Sequence, residues 1–137
     1  MAMAMVAAVA VAAAAGPTPA PAAAPALEGT RWNLVELAGS SAEPGPRILL
    51  ERTKTKRQLS GSTGCGLMRG RYDLFAGRLR IAPDAPKQSD CSEALRSQET
   101  AFLAALRETA DYRISGDALT LLAPDGHPLA RFTRSVP

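Results

Sequence analysis

Two closely spaced turns decide the fold, and they lie in the segment Tyr112–Phe132, YRISGDALTLLAPDGHPLARF. Apolar and polar residues alternate on both sides of Gly116-Asp117 and of Asp125-Gly126, and a period of two is typical of half-buried β-strands. Turn residues between two alternating runs predict β-hairpins. The C-terminal part of the chain is therefore predicted to form consecutive antiparallel strands.

The same pattern of short strands extends back along the chain to Leu27. Loops rich in Pro and Gly, such as AGSSAEPGP at 38–46, separate the alternating runs. The predicted strands are TRWNLVEL, RILLERTKTKRQLSGS (two short strands or one bent strand), RGRYDLF and RLRIA.

The period changes between Cys91 and Thr109, where the apolar residues fall on one face of a helix of about 16–18 residues. These apolar residues are Leu95, Phe102, Leu103 and Leu106. Asp90 and Glu93 fit a capping box with an Asp cap, which predicts the start of the helix.

About seven or eight strands, one helix and no βαβ rhythm predict an α+β, mainly β fold. We expect a small antiparallel, barrel-like sheet with one packed α-helix. The side chains predicted for its core are Trp32, Tyr72, Phe102, Leu103 and Leu106.

Residues 1–26 carry no charged side chain and contain an apolar run, Met5–Ala15, followed by a Pro/Ala tract. This pattern resembles a secretory signal peptide with a linker, although no basic residue precedes the apolar run. Cleavage after Ala15 and cleavage after Ala26 both fit. The alternative is a disordered Ala/Pro tail. The run is too short to span a bilayer, which takes about 20 apolar residues.

Residues 27–134 are predicted to form one exported, monomeric domain that is soluble after signal cleavage.

Two cysteines in an exported domain favour one disulfide. Joining Cys65 to Cys91 closes a loop of about 25 residues, which contributes about 3–4 kcal/mol in the chain-entropy model. The alternative is a reactive Cys65 thiol with a pKa lowered by Arg69 and Arg71. No cysteine precedes Cys65, so no lipid anchor is expected.

The glycine-rich segment Ser60–Tyr72, SGSTGCGLMRGRY, matches neither common nucleotide-binding pattern. A P-loop requires Lys-Ser or Lys-Thr and a following helix, whereas this segment leads into a predicted strand. The dinucleotide pattern G-x-G-x-x-G also fails. We therefore predict turns at the glycines, which are Gly61, Gly64, Gly66 and Gly70.

Catalytic and metal sites find little support in the sequence. The only histidine, His127, lies in the predicted turn PDGHP, and structural zinc normally takes four Cys or His ligands. We expect no catalytic residue, metal or cofactor. The alternative is an enzyme or inhibitor with a cleft at one end of the barrel, where polar groups such as Arg71, Asp73 or His127 would have to converge.

Basic residues spaced two apart predict a positive outer surface, since alternate residues of a strand share a face. They are Arg52, Lys54, Lys56, Arg69, Arg71, Arg78 and Arg80. One interpretation is a solvated face that protects edge strands. The other is attraction to an anionic partner: lipopolysaccharide, acidic phospholipid or an envelope polymer. A net charge of +3 does not indicate a dedicated nucleic-acid binder.

Four segments in order resemble the META domain family, which includes the heat-shock protein HslJ. LEGTRWNLVEL resembles the family's L-x-G-T-x-W-x-L, and SGSTGCGLMRGRY resembles G-x-x-G-C-N-x-x-x-G-x-Y. QSDCSEALRSQETAFLAAL resembles its second-cysteine segment and the helix pattern E-x-x-F-x-x-x-L. YRISGDALTLLAPDGHPLARF resembles its closing hairpins.

The resemblance implies a compact barrel-like fold with a packed helix. It also implies a non-enzymatic envelope protein linked with stress response and antibiotic tolerance, acting on an unidentified envelope partner. Two departures bear on local structure. Gly66 stands where the family usually has Asn, so any role of that side chain is lost. Gln88 and Asp90 stand where smaller or apolar neighbours of Cys91 are more common.

Overall fold

The computed structural model of the chain describes residues 26–86 and 90–135. The predicted signal sequence and linker, apart from Ala26, lie outside the described residues, as does Gln88. The described residues form nine strands and one helix. They are β1 Arg31–Leu37, β2 Ser40–Ser41, β3 Pro46–Arg52, β4 Arg57–Thr63, β5 Leu67–Phe75, β6 Arg78–Pro83, α1 Glu93–Glu108, β7 Asp111–Ser115, β8 Ala118–Leu122 and β9 Pro128–Arg134.

All named strand pairs are antiparallel and follow the order β6-β5-β4-β3-β1-β9-β8-β7, with the short β2 paired to β1. The two ends of the sheet approach each other where the backbone N–H of Leu79 donates to the carbonyl of Ala110 at 3.3 Å. The sheet therefore curls into a nearly closed barrel. The predicted fold class, a mainly β antiparallel barrel with one helix, is confirmed.

Alternate strand residues and one face of α1 fill the interior. The five side chains predicted for the core are all buried, and Trp32, Phe102 and Leu106 have no exposed surface. The rings of Phe102 on α1 and Phe132 on β9 are tilted, with centroids 6.1 Å apart, so the helix packs directly on the sheet. Trp32 donates from its indole nitrogen to the carbonyl of Leu27 at 3.2 Å, which satisfies a buried donor.

The helix cap differs from the prediction. The cap residue is Ser92, whose Oγ accepts from the backbone N–H of Leu95 at 3.2 Å. A cap must directly precede the first helical residue, and Asp90 lies three residues before Glu93. The prediction that Asp90 caps the helix is therefore wrong.

The segment Arg47–Ser62 forms parts of two strands, which was one of the two predicted alternatives. The loop 53–56 joins β3 and β4 as a hairpin. It closes on itself, because the N–H of Thr53 donates to the carbonyl of Lys56 at 2.8 Å and the N–H of Lys56 donates to Thr53 Oγ1 at 3.0 Å.

Candidate functional site

A wide, open groove of about 1260 Å³ runs along β4, β5 and β6, between the loop 53–56 and the end of α1. We call it the basic groove, because eight cationic side chains and only two carboxylates line it. The cations are Arg52, Lys54, Lys56, Arg57, Arg69, Arg71, Arg80 and Arg107, and the carboxylates are Asp73 and Asp84.

Strand register brings the central arginines of the groove together. Arg69 pairs with Ser60 and Arg71 pairs with Gln58 across β4 and β5, while Asp73 pairs with Arg80 across β5 and β6. Directly opposed residues of an antiparallel pair lie on the same face. These arginines and Asp73 therefore lie on one face of three adjacent strands, whereas the lining residues Leu59, Tyr72 and Ile81 have the opposite, buried parity.

The seven basic residues do not all lie on one face of the strands. Lys54 and Lys56 lie in the loop 53–56. Arg52 has the inward parity of the buried Leu50, because residues two apart share a face. Six of the seven residues nevertheless line the groove, and Arg78 does not.

Two cations of the groove, Arg57 and Arg107, were missed. Arg57 is opposite Arg52 in the register, and its Nη1 donates to the carbonyl of Leu74 at 3.2 Å. This bond holds the first residue of β4 against the end of β5. Arg107 lies in the last turn of α1, and residues two apart do not share a face on a helix. Arg107 lies three residues before Ala110, whose carbonyl accepts from Leu79 of β6. The sequence alone does not show this contact, so it could not place Arg107 beside β6.

Tyr72 is a buried residue that also lines the groove. Its hydroxyl donates to the carboxylate of Glu28, and its ring is buried. Burial and, to a smaller extent, the bond to Glu28 raise the pKa of Tyr72 well above its ordinary value. The positive charges of Arg57 and Arg52 act on the same hydroxyl in the opposite direction, which indicates that both guanidinium groups lie near it.

The cations of the groove form no ion pair within 4.0 Å with any carboxylate of residues 26–86 and 90–135. The ion pairs of this part of the chain are Arg131–Glu36, Arg134–Asp117 and His127–Asp125, and all of them lie outside the groove. The groove therefore keeps a net positive charge, although the carboxylate of Glu28 lies close to the Tyr72 hydroxyl.

His127 does not join Arg71 and Asp73. It lies exposed in the β8–β9 turn, where its ring contacts the carboxylate of Asp125. Hydrogen bonds from the backbone and then the ring of His127 lower the pKa of Asp125. His127 lines a separate cavity of about 450 Å³, whereas Arg71 and Asp73 line the basic groove. Among the described residues, His127 therefore does not converge with Arg71 and Asp73.

That smaller cavity adjoins the groove, since Arg80, Arg107 and Thr109 line both. Within the described ranges, no group of three or more His, Cys, Asp or Glu side chains is arranged to hold a metal ion.

Cys65 and Cys91 form a disulfide with a Cα–Cα distance of 5.5 Å. The bond joins the β4–β5 connection to the residue before the helix cap, so the sulfur of Cys65 is not a free thiol. The hydroxyl of Thr63 donates to the carboxylate of Glu99 beside it, which adds a second link between β4 and α1.

Two of the four glycines predicted for turns serve another purpose. Gly64, with φ +90°, and Gly66 lie in the β4–β5 connection, as predicted. Gly61 and Gly70 lie inside strands, and there the turn prediction is wrong. A Cβ at Gly61 would lie 2.0 Å from the carbonyl oxygen of Arg47, so this position permits close approach of β3 and β4.

A family model described as "META domain" matches residues 25–136. The chain belongs to the META domain family. An NMR structure of a protein from Burkholderia xenovorans is similar to this META domain, with a TM-score of 0.62 and 22% identity over 89% of this chain and 98% of that one. A crystal structure of a DUF4847 family protein from Bacteroides vulgatus is similar with a TM-score of 0.59 and 14% identity over 78% and 93%.

A further NMR structure is similar to the META domain, with a TM-score of 0.58 and 20% identity over 78% of this chain and 90% of the other. At these identities the likeness shows the fold alone. No curated protein matches the chain significantly. Among the described helices, none has the length and apolar character needed to cross a membrane.

Proposed function

We propose that this META domain is an exported, non-enzymatic module that binds anionic groups of the cell envelope in its basic groove. The observation that carries the proposal is the excess of eight cations over two carboxylates along one groove, without a local ion pair. Through this binding the domain would contribute to envelope integrity and stress tolerance.

The geometry of the groove favours an extended anionic surface over a small ligand. Its cations come from the loop 53–56, from four strands and from the end of α1, so they are spread along the groove instead of converging on one point. Arginine forms bidentate contacts with phosphate and carboxylate groups. Several such groups in a row would pair with more of the cations in the groove than one compact anion would.

Export is supported by the signal-like residues 1–26 and by the disulfide, because disulfides persist mainly in oxidising compartments. Action by binding is supported by the separation of His127 from Arg71 and Asp73. A general base needs its partners within hydrogen-bond reach, and the ring of His127 contacts Asp125 in an exposed turn.

The test compares retention on immobilised heparin, a soluble polyanion, at increasing salt. We expect the wild type to be retained at low ionic strength and the double variant Arg69→Glu/Arg71→Glu to elute at much lower salt. The physical reason is that contacts between exposed charges are screened by salt, so the salt needed for elution reports the strength of the contact.

A matched control is Arg96→Glu/Arg113→Glu, which changes the net charge equally. Both of these arginines are exposed, on α1 and β7, and neither lines the groove. The control should elute close to the wild type. No retention of the wild type at low salt, or equal losses in both double variants, would contradict the proposal.

A further inference from the structure

An exposed aromatic ring lies beside the basic groove, two residues beyond Asp73 on β5. Phe75, the last residue of β5, is 80% exposed. The turn that follows, Ala76-Gly77, has positive φ at both residues, so the chain reverses tightly and leaves the ring at the tip of the β5–β6 hairpin. Among the described residues, Leu67 is the other large hydrophobic side chain with this exposure, at 77%.

Several cations and one carboxylate, Asp73, lie near this tip. Arg78 is directly opposite Phe75, and Arg80 is two residues further along β6. In an antiparallel sheet, the β3–β4 and β5–β6 connections lie at the same end, which brings Lys54 and Lys56 to the end occupied by Phe75. The bond from Arg57 to the carbonyl of Leu74 holds the two hairpins together there.

An apolar ring among cations matches the surface of an acidic phospholipid bilayer. The headgroups attract basic residues, and apolar side chains insert at the boundary between headgroups and acyl chains. A soluble polyanion offers such a ring no apolar environment. A stable protein interface buries about 800 Å² on each partner, far more apolar surface than one ring at this tip provides.

We propose that the β5–β6 hairpin docks the domain on an acidic phospholipid bilayer, with Phe75 inserted between headgroups and the basic groove facing the phosphates. This inference rests on the proposed function, because the cations of the groove supply the attraction. Phe75 adds a contribution that salt does not screen and that only a bilayer can accept.

The test measures binding to vesicles of phosphatidylcholine containing phosphatidylglycerol, and to vesicles of phosphatidylcholine alone. Each protein is purified after export. The wild type should bind the acidic vesicles and not the neutral ones. Phe75→Ser should weaken binding to the acidic vesicles about ten-fold, since partial burial of an aromatic side chain contributes about this much. Its elution from heparin should stay unchanged.

Leu67→Ser is the matched control. Leu67 lies on the same strand with the same parity and similar exposure, but about 26 Å away at 3.3 Å per residue. Its loss should change vesicle binding less than two-fold. The two variants have the same N-terminal segment, so any contribution of that segment to vesicle binding is equal in both. Both side chains are exposed, so both variants should keep the wild-type midpoint in urea.

A second readout uses Phe75→Trp. The chain's own Trp32 is fully buried, so a shift of the fluorescence emission to shorter wavelength on adding acidic vesicles reports the new side chain. Equal effects of Phe75→Ser and Leu67→Ser, or no emission shift, would overturn the inference.

The two proposals fail differently. Retention on heparin without binding to acidic vesicles would overturn bilayer docking and leave the proposed function standing. Failure to bind either would overturn both.

Discussion

The hydroxyl of Tyr72 donates a hydrogen bond to the carboxylate of Glu28, joining the middle of β5 to the segment before β1. Tyr72 is buried and Glu28 is half-buried. The backbone beside Glu28 is held as well, because the N–H of Gly29 donates to the carbonyl of Leu50 at 2.7 Å. The segment before β1 is thus held against both β5 and β3.

Removing this bond should destabilise the domain. Tyr72→Phe keeps the ring but leaves a half-buried carboxylate without its donor, which costs about 2 kcal/mol. We expect the free energy of unfolding in urea at neutral pH to fall by that amount. Glu28→Gln is the control, because its amide oxygen still accepts and a smaller loss follows. Equal stability of Tyr72→Phe and the wild type would contradict the role given to this bond.

The raised pKa of Tyr72 predicts a loss of stability in alkali. The folded protein holds the phenolic proton more tightly than the unfolded chain, so the contribution is fully present below the ordinary tyrosine pKa of 10.0. It is lost as the pH rises above that value. The free energy of unfolding of the wild type should therefore fall more steeply above pH 10 than that of Tyr72→Phe. Parallel curves for the two proteins would contradict the shift.

Local patterns predicted much of this fold from the sequence. The helix face of Phe102, Leu103 and Leu106 depends on residues three and four apart, and the turn at Asp125-Gly126 depends on adjacent residues. Such signals need no knowledge of distant segments. The strand alternation around Trp32 is of the same kind.

The composition of the groove depends on contacts between distant segments, and sequence spacing could not predict it. Arg52, Lys54 and Lys56 share one spacing, but the hairpin at 53–56 interrupts the strand between them. Arg107 reaches the groove only because α1 ends where β6 approaches β7. A register of paired strands and a helix position are both needed before these side chains can be assigned to one site.

Losing the disulfide should lower stability without changing the fold. The double variant Cys65→Ala/Cys91→Ala releases a loop with a sequence separation of 26, and the chain-entropy model gives a loss of about 3–4 kcal/mol. Urea unfolding of the double variant and of the wild type with and without reductant measures this loss. Reductant should shift the wild type to the stability of the variant and leave the variant unchanged. A wild type insensitive to reductant would contradict the prediction.

The helix cap can be tested with two neighbouring residues. Ser92→Ala removes the acceptor for the N–H of Leu95 and should reduce the free energy of unfolding by about 1 kcal/mol. Asp90→Ala changes a residue outside the cap position and should have a smaller effect. Both positions are exposed, so neither substitution removes a packed side chain that would change the free energy of unfolding by itself. A larger loss for Asp90→Ala would restore the capping role to that residue.

Gly61 should tolerate no side chain. A Cβ there would lie 2.0 Å from the carbonyl oxygen of Arg47, so Gly61→Ala forces β3 and β4 apart, at a cost of about 3 kcal/mol or more by analogy with overpacking. Gly77→Ala is the control. Gly77 also has positive φ, at +78°, but a Cβ added there would meet no atom within 4 Å.

The control measures the effect of alanine at a positive φ without a collision. Gly77 lies near the left-handed helical region, where alanine costs about 1–2 kcal/mol, whereas Gly61→Ala combines strain at φ +153° with the collision with Arg47. Gly61 is opposite Ile48 and Met68 in the register, so separation of the strands would also disturb the packing of these two buried side chains. Gly61→Ala should therefore lose more stability than Gly77→Ala. Similar unfolding midpoints for the two variants would show that β3 and β4 can relax around the added methyl group.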